Sequence, residues 1–462
     1  MKPYLLIDFG STYTKMTAVD LDQPAVLGTA RARTSVEDGL LLGYLKALER
    51  LEQKVGHLNY ERRLACSSAA GGLKMVAIGL VPELTVEAAK KAALGAGARV
   101  IGAYGFELSP AEIEELLALE PDLILLAGGT DGGNKETILH NARLLAASRL
   151  AVPVIVAGNK TVAPQVEEAL KAAGKICYRV ANVLPELGRL NIEPVQNEIR
   201  EIFLQRIIQA KGLDQVEQVI DGITMPTPAA VLQAAERLAT GAGDHLPGMG
   251  DLLVVDVGGA TTDVHSIAEG FPTEPNVFLQ GLPEPKVKRT VEGDLGMRSS
   301  AVALMEHFTA QTLAKLADLP EEAVLSGVKK RVLNVQYLPT SPEDLRLEET
   351  IGYLAVKAAT ERHAGCVEKF YTPQGISYLQ VGKDLTAVKT VIGTGGVLAS
   401  SPVGSKVLTG ALYDPATPES LKPTAPRFYL DHDYLFSTLG LIAKEYPDLS
   451  FRLLTKALKP VN

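Results

Sequence analysis

Two short segments, far apart in the chain, each open on Asp, an apolar residue and Gly and go on to hydroxyl residues. One runs Asp8-Phe9-Gly10-Ser11-Thr12; the other runs Asp256-Val257-Gly258-Gly259-Ala260-Thr261-Thr262-Asp263. A bound polyphosphate with magnesium makes two demands that such segments meet. Backbone N–H groups must approach phosphate oxygens closely, which favours glycine in tight turns. Carboxylates must hold a hydrated Mg²⁺, which keeps several waters and accepts one or two of them. Asp8 and Asp256 are therefore the candidate metal carboxylates, and Gly10, Ser11, Thr12, Gly258, Gly259, Thr261 and Thr262 the candidate phosphate cradle. Asp263 is the candidate for orienting an attacking water, ahead of Thr261 or Thr262. A third segment, Val391-Ile392-Gly393-Thr394-Gly395-Gly396-Val397, offers Gly393, Gly395 and Gly396 as flat backbone against a nucleobase or ribose.

Such loops need strands to hold them. Residues 4–7 and Lys15 to Val19 read as strands flanking the first loop, and 252–255 and 264–267 as strands flanking the second. Two hairpins of one kind, each opening one half of the chain, predict a duplicated two-lobed architecture. From about residue 60 strands alternate with helices: helix 86–94, strand 100–104, helix 110–119, strand 123–127, helix 135–147, strand 153–157 and helix 163–173. This alternation predicts a parallel sheet with helices packed on it. Gly128 to Asn134 is a further glycine-rich loop, either a helix N-terminus presenting N–H groups to an anion or a plain tight turn. Helices are also expected at 226–238, with Thr227 as cap, and at 433–444. The stretch from Pro415 to Pro426 reads as a surface connection.

Composition narrows the function. The chain has 462 residues, enough for two or three domains, and a net charge of −8, which argues against nucleic acid as the main partner. The basic run Lys286-Val287-Lys288-Arg289 reads as a solvated strand or loop. Cys66, Cys177 and Cys366 lie far apart, as expected of idle thiols rather than a disulfide framework or zinc site. No membrane-length apolar segment and no signal peptide are seen, so a soluble, cytoplasmic protein is expected. The Walker phosphate loop is absent.

The three glycine segments resemble the phosphate-one, phosphate-two and adenosine motifs of the actin, heat-shock chaperone and sugar kinase superfamily. Ala260 departs from the chaperone pattern, which has a third glycine there. Pro226 to Ala230 and Leu439 to Leu441 resemble the two helices that connect the lobes. The resemblance implies an α/β fold of two RNase H-like (actin-like ATPase) lobes with a nucleotide cleft between them. The lobes would be 1–225, with an α/β elaboration at about 60–180, and 226–462, with the helix at about 433–446 crossing back. It implies ATP and Mg²⁺ as cofactors, Lys15 as a phosphate contact, and Glu292, with Gly293 and Asp294, near the ribose.

The resemblance goes further. Leu6 to Thr12, Ala65 to Met75, Leu126 to Asn134 and His140-Asn141-Ala142-Arg143-Leu144-Leu145 resemble the GlmL family, also called MutL, over nearly the whole chain. The mismatch-repair ATPase that shares the second name has a different fold, and none of its nucleotide motifs is seen here. Family resemblance implies an accessory protein of adenosylcobalamin-dependent mutases, named for glutamate (methylaspartate) mutase, with a task like that of diol dehydratase reactivases. A small-molecule kinase, a filament-forming ATPase and a hydantoinase-type ATP-dependent enzyme are alternatives on the same fold.

Overall fold

Strand β1 (Pro3–Phe9) is apolar throughout except for Asp8, as a strand covered on both faces must be. A computed structural model describes the chain at residues 1–10, 12–34, 40–68, 73–208, 216, 218–373, 375–400 and 402–461. Strand β1 turns antiparallel into β2 (Tyr13–Asp20), which pairs with β3 (Ala25–Arg33). On its other side β1 runs parallel to β4 (Arg62–Ser67), which is followed by β10 (Ile223–Pro226). The order is β3-β2-β1-β4-β10.

The second half repeats this plan. Strand β11 (Leu252–Val257) turns antiparallel into β12 (Thr262–Ile267), which pairs with β14 (Val287–Glu292). On the other side β11 runs parallel to β17 (Thr390–Gly395), then comes β18 (Arg427–Asp431), with β19 (Leu458–Val461) added at the edge. The order β14-β12-β11-β17-β18 is the same three-antiparallel, two-parallel layout, so the chain holds two RNase H-like sheets.

Between β4 and β10 lies a separate parallel sheet. Its strands are β5 (Lys74–Ile78), β6 (Arg99–Tyr104), β7 (Leu123–Leu126), β8 (Val154–Val156) and β9 (Cys177–Arg179), in the order β6-β5-β7-β8-β9. This is a doubly wound order. Alternate residues face opposite cores: Met75 and Ala77 pack with the helix Glu87–Gly95, Val76 and Ile78 with the helices 110–119, 136–147 and 163–172. Residues 62–67, inside the span expected for this elaboration, form β4 and pair with β1. A separate three-stranded sheet is formed by β13 (Val277–Gln280), β16 (Gly375–Val381) and β15 (Cys366–Thr372), in that order.

The period of two along β1 and β11 decides what meets between the sheets. Leu5, Ile7 and Phe9 face the core shared with the parallel domain. Tyr4 and Leu6 on β1, and Leu252 and Val254 on β11, face a common core built on the helix Thr227–Thr240. Asp8 and Asp256 continue those two helix-facing rows, so alternation turns both carboxylates toward the connecting helices.

Several expectations need correction. Thr227 does not cap its helix: Pro226 is at the N-cap, and the Thr227 hydroxyl is used elsewhere. The expected helix 433–444 is cut to Phe436–Gly440, followed by turns and a separate helix Pro447–Ala457. Gly440 lies against Ala230, where any Cβ would collide with the Ala230 carbonyl oxygen. The stretch 415–426 is not wholly at the surface: Ser420, Leu421 and Lys422 are buried, with Lys422 Nζ 3.1 Å from Glu361. Among the described residues no helix is long and apolar enough to cross a membrane.

Two outcomes follow from this packing. Gly440→Ala forces the crossing helices apart, and a loss of about 1–3 kcal/mol is expected in urea unfolding. The second concerns Lys383, whose Nζ donates to Ser266 Oγ and to the carbonyls of Pro285 and Lys286. Burial pushes its ammonium from the ordinary 10.5 down to about 7, with Lys288 adding repulsion. The unfolded chain then binds more protons than the folded one between those values. Stability should therefore rise with pH across about 7 to 10.5, and Lys383→Met should flatten that rise in urea midpoints measured across the window.

Candidate functional site

The register of the first hairpin sets Lys15 directly across from Asp8. Lys15 Nζ lies 3.2 Å from Asp8 Oδ2. Asp8 is fully buried, and three more donors converge on it. Thr227 Oγ1 donates to Oδ1 at 2.7 Å and Ser437 Oγ to Oδ2 at 2.9 Å, while Cys66 Sγ sits 3.7 Å from Oδ1. Thr227 opens one connecting helix and Ser437 lies in the other. Burial works against the Lys15 charge, but Asp8, Asp256 and Tyr434 outweigh it and raise its pKa. The Tyr434 ring lies 5.0 Å beneath Lys15 Nζ, and its hydroxyl donates to Gly396 O at 3.2 Å.

The second hairpin has the same turn. Gly258 N donates to Thr261 O at 2.9 Å, as Gly10 N does to Tyr13 O at 3.1 Å. The residue across from Asp256 is Asp263, in the position that Lys15 holds in the first hairpin. Asp256 remains half-buried, and its carboxyl is pushed up to about 7 by desolvation, then by Asp263, with Asp8 and Asp431 adding. Asp263 is neutralised from outside the hairpin: Arg289 Nε donates to Oδ1 at 2.8 Å, and Nη2 lies 2.6 Å from the same oxygen. Thr261 Oγ1 donates to its Oδ2 at 3.1 Å.

The phosphate-two loop is braced from behind. Met297 N donates to Gly258 O, Arg298 N to Gly259 O, and Ser300 Oγ to Ala260 O. Arg298 in turn reaches Glu348 at 2.8 Å, and the fully buried Arg331 holds the other oxygen of Glu348 at 2.8 Å. Ala260 has no positive φ, so alanine serves where the chaperone pattern has glycine. On β17, Gly395 has φ +97°, and a Cβ there would strike the Val257 carbonyl and come within 2.8 Å of Asp256 Oδ1.

Asp8, Lys15, Asp256, Gly258, Thr261, Asp263 and Gly395 thus share one region, with Gly396 at its rim under Tyr434. Other candidates are placed differently. Thr262 is buried, with its hydroxyl spent on Leu295 O at 2.5 Å. Gly393 faces the core, where a Cβ would meet Leu430, Leu398 and Leu408. Glu292 is tied to Arg362 at 2.8 Å, which also grips Asp294. Gly10 and Thr12 lie in the first turn, and Ser11 falls outside the described residues, as do residues 69–72. The loop 128–134 is a tight turn pinned by Asn159 and Asn182, whose amides donate to the carbonyls of Gly129, Gly133 and Asn134.

Among the described residues no group of three or more potential ligands is placed to hold a metal. Asp8 already accepts from several neighbours, so it fits the role of anchor better than that of metal ligand. Asp256, whose carboxyl is raised by burial and then by the neighbouring carboxylates, is the one that suits a cation held chiefly by phosphate and water.

The residues that sequence reasoning missed are Ser437, Tyr434, Arg298, Glu348 and Arg289. Arg289 belongs to the run read as solvated, yet it is 5% exposed.

The sequence model of the family described as MutL protein matches residues 4–458. Protein MutL of Clostridium tetanomorphum is 51% identical over 464 residues, covering all of both chains. The chain belongs to the MutL family. Similar solved structures include the activator of the 2-hydroxyisocaproyl-CoA dehydratase from Clostridium difficile with bound ADPNP. It is 8% identical over 100% of this chain and 99% of its own, with a TM-score of 0.34. Diol dehydratase-reactivating factor in nucleotide-free form is 11% identical over 96% of this chain and all of its own, with a TM-score of 0.34. At such values the likeness does not extend to ligands or chemistry, and membership rests on the two sequence matches.

Glu348→Ala should show how much the bracing matters. It strands Arg331 and Arg298 without their carboxylate, and a loss of about 3–5 kcal/mol in denaturant unfolding is expected.

Proposed function

We propose that the region between the two hairpins takes ATP with Mg²⁺, and that the chain is an ATP-dependent accessory protein that reactivates an adenosylcobalamin-dependent mutase. The observation that carries the first part is that two hairpins of one build set Asp8 against Lys15 and Asp256 beside Gly395 of β17, with Asp256 close enough to stabilise the Lys15 charge. The second part rests on membership of the MutL family and on what the family resemblance implies. Glutamate mutase or an aminomutase is the proposed partner.

In this reading Lys15 meets the phosphates, released in part from Asp8 as they arrive. The backbone of Gly10, Thr12 and 258–261 lines the polyphosphate, and Gly395 and Gly396 flank the nucleoside. Mg²⁺, when bound, supplies charge neutralisation on the phosphates, and Asp256 is the side chain that would hold it, through water. Asp263, clamped by Arg289, fixes the Thr261 hydroxyl at the turn, and this pair orients the attacking water. Asp8 takes no direct part: it ties the nucleotide region to both connecting helices, so closure of the lobes follows occupancy.

The test is cofactor release. A candidate mutase loaded with an inactive cobalamin is mixed with this protein, and free cofactor is followed with and without Mg-ATP. ATP-dependent release is expected, and Asp256→Ala should abolish both release and ATP turnover. Lys15→Ala should weaken ATP binding about 10–100-fold, the worth of a charged hydrogen bond. ATP turnover that survives Asp256→Ala would sink the site assignment. Turnover without release from any mutase tried would sink the reactivase role and leave the nucleotide site standing.

A further inference from the structure

The parallel domain is inserted in the first RNase H-like sheet, between β4 and β10, yet its helix Glu87–Gly95 packs on β14 of the second. Three contacts make this seat. Lys91 Nζ lies 3.1 Å from Glu284 Oε1, and Lys288 Nζ lies 3.4 Å from the same oxygen. The Arg99 guanidinium lies against Gly293, where a Cβ would come within 2.8 Å of it. Arg289 Nη1 donates to Leu94 O at 3.1 Å and to Ala98 O at 3.0 Å. Leu94 is in the last turn of the helix, where a cation is favoured, and its carbonyl accepts from Gly97 N as well as from Arg289.

The third contact differs from the others because Arg289 is shared. Its opposite edge holds Asp263, the residue across the hairpin from Asp256. One rigid guanidinium, 3% exposed in its side chain, thus joins the phosphate-two hairpin to the end of a helix in the inserted domain. Its fork is planar and cannot follow the two sides separately. A displacement of Asp263 by an ångström or so must either break the bonds to Leu94 and Ala98 or carry them along.

We propose that Arg289 is a positioning residue that couples the nucleotide state of the second hairpin to the seating of the parallel domain on β14. This rests on the reading of the cleft as an ATP site. The domain is then the part of the molecule that moves with the nucleotide. Lys91 and Glu284 hold the seat without reporting on the hairpin, since neither touches it.

Hydrogen–deuterium exchange on the full chain tests this, with ADP and with a non-hydrolysable ATP analogue. Binding of both nucleotides is measured by calorimetry alongside. In the wild type, exchange in the peptide spanning 87–104 should differ between the two nucleotides by about fivefold or more, the lower range of coupling between sites. Arg289→Lys keeps a charge beside Asp263 but loses the fork. It should raise exchange in that peptide in every state and erase the nucleotide difference. Lys91→Ala should raise exchange and keep the difference, which a purely structural role for Arg289 would also predict of Arg289→Lys. A difference that persists in Arg289→Lys overturns the coupling, as does equal exchange in a wild type that binds both nucleotides. A wild type that binds neither nucleotide overturns the cleft reading, and the coupling with it.

Discussion

The carboxylate of Asp8 is the point on which the arrangement depends. It is buried without solvent contact, and a buried carboxylate is tolerated only when its oxygens are satisfied. Its donors come from four separate elements: Lys15 on β2, Cys66 on β4, Thr227 at the start of one connecting helix and Ser437 in the other. That set constrains the sequence widely. Small hydroxyl residues must stand at both helices, the helices must approach each other closely enough to require Gly440, and a lysine must stand opposite in the hairpin. A ligand that draws Lys15 away removes the main counter-charge of Asp8, and the two hydroxyls are then its remaining strong donors. The lobes are joined through those same helices, so the charge balance at one residue reaches the whole hinge.

The two halves share a strand plan and a turn but not a charge. Where the first hairpin sets a cation opposite its aspartate, the second sets another aspartate. Two facing carboxylates repel, and this is part of why Asp256 is pushed up to about 7. The compensating cation had to come from a neighbouring strand, and β14 supplies Arg289. The asymmetry leaves one hairpin with a lysine as its counter-charge and the other with a buried, doubly engaged guanidinium. The first suits a residue that must exchange partners with a ligand; the second suits one that must keep its orientation.

What could be read from the sequence follows the range of each interaction. The hairpins, the glycine turns and the strand–helix alternation were legible because period and turn chemistry are local. Asp8, Asp256 and Gly395 stand at the ends of the strands that the motifs mark. Thr262 and Gly393 face the core instead, although they stand inside the same motifs: Thr262 alternates with Asp263, and Gly393 continues the core-facing row of Val391, which Gly395 leaves through its positive φ. The helix expected at 433–444 ends at Gly440, where the chain passes into i→i−3 bonds while Gly440 packs on Ala230, more than two hundred positions away. Arg289 was the largest miss. A run of three basic residues in four positions looks solvated, and its burial depends on Asp263, Leu94 and Ala98 meeting in space.

That miss bears on how the chain is put together. An inserted domain that packed only on the sheet it interrupts would move with that sheet and add nothing to the relation between lobes. Here the inserted domain shares a core with the first sheet and also seats a helix on β14 of the second. It therefore spans the same gap as the connecting helices, by a second and separate route. Rotation of one lobe against the other is constrained at two places, so the domain must shift its seat or resist the rotation. The contacts at the seat are ion pairs and hydrogen bonds to helix-end carbonyls, with little apolar surface beyond Leu282 and the alanines of the helix. Such contacts are directional and lose their strength over short displacements, whereas apolar surfaces slide. A seat of this kind favours discrete positions over a continuum, which is the property a switch between nucleotide states requires.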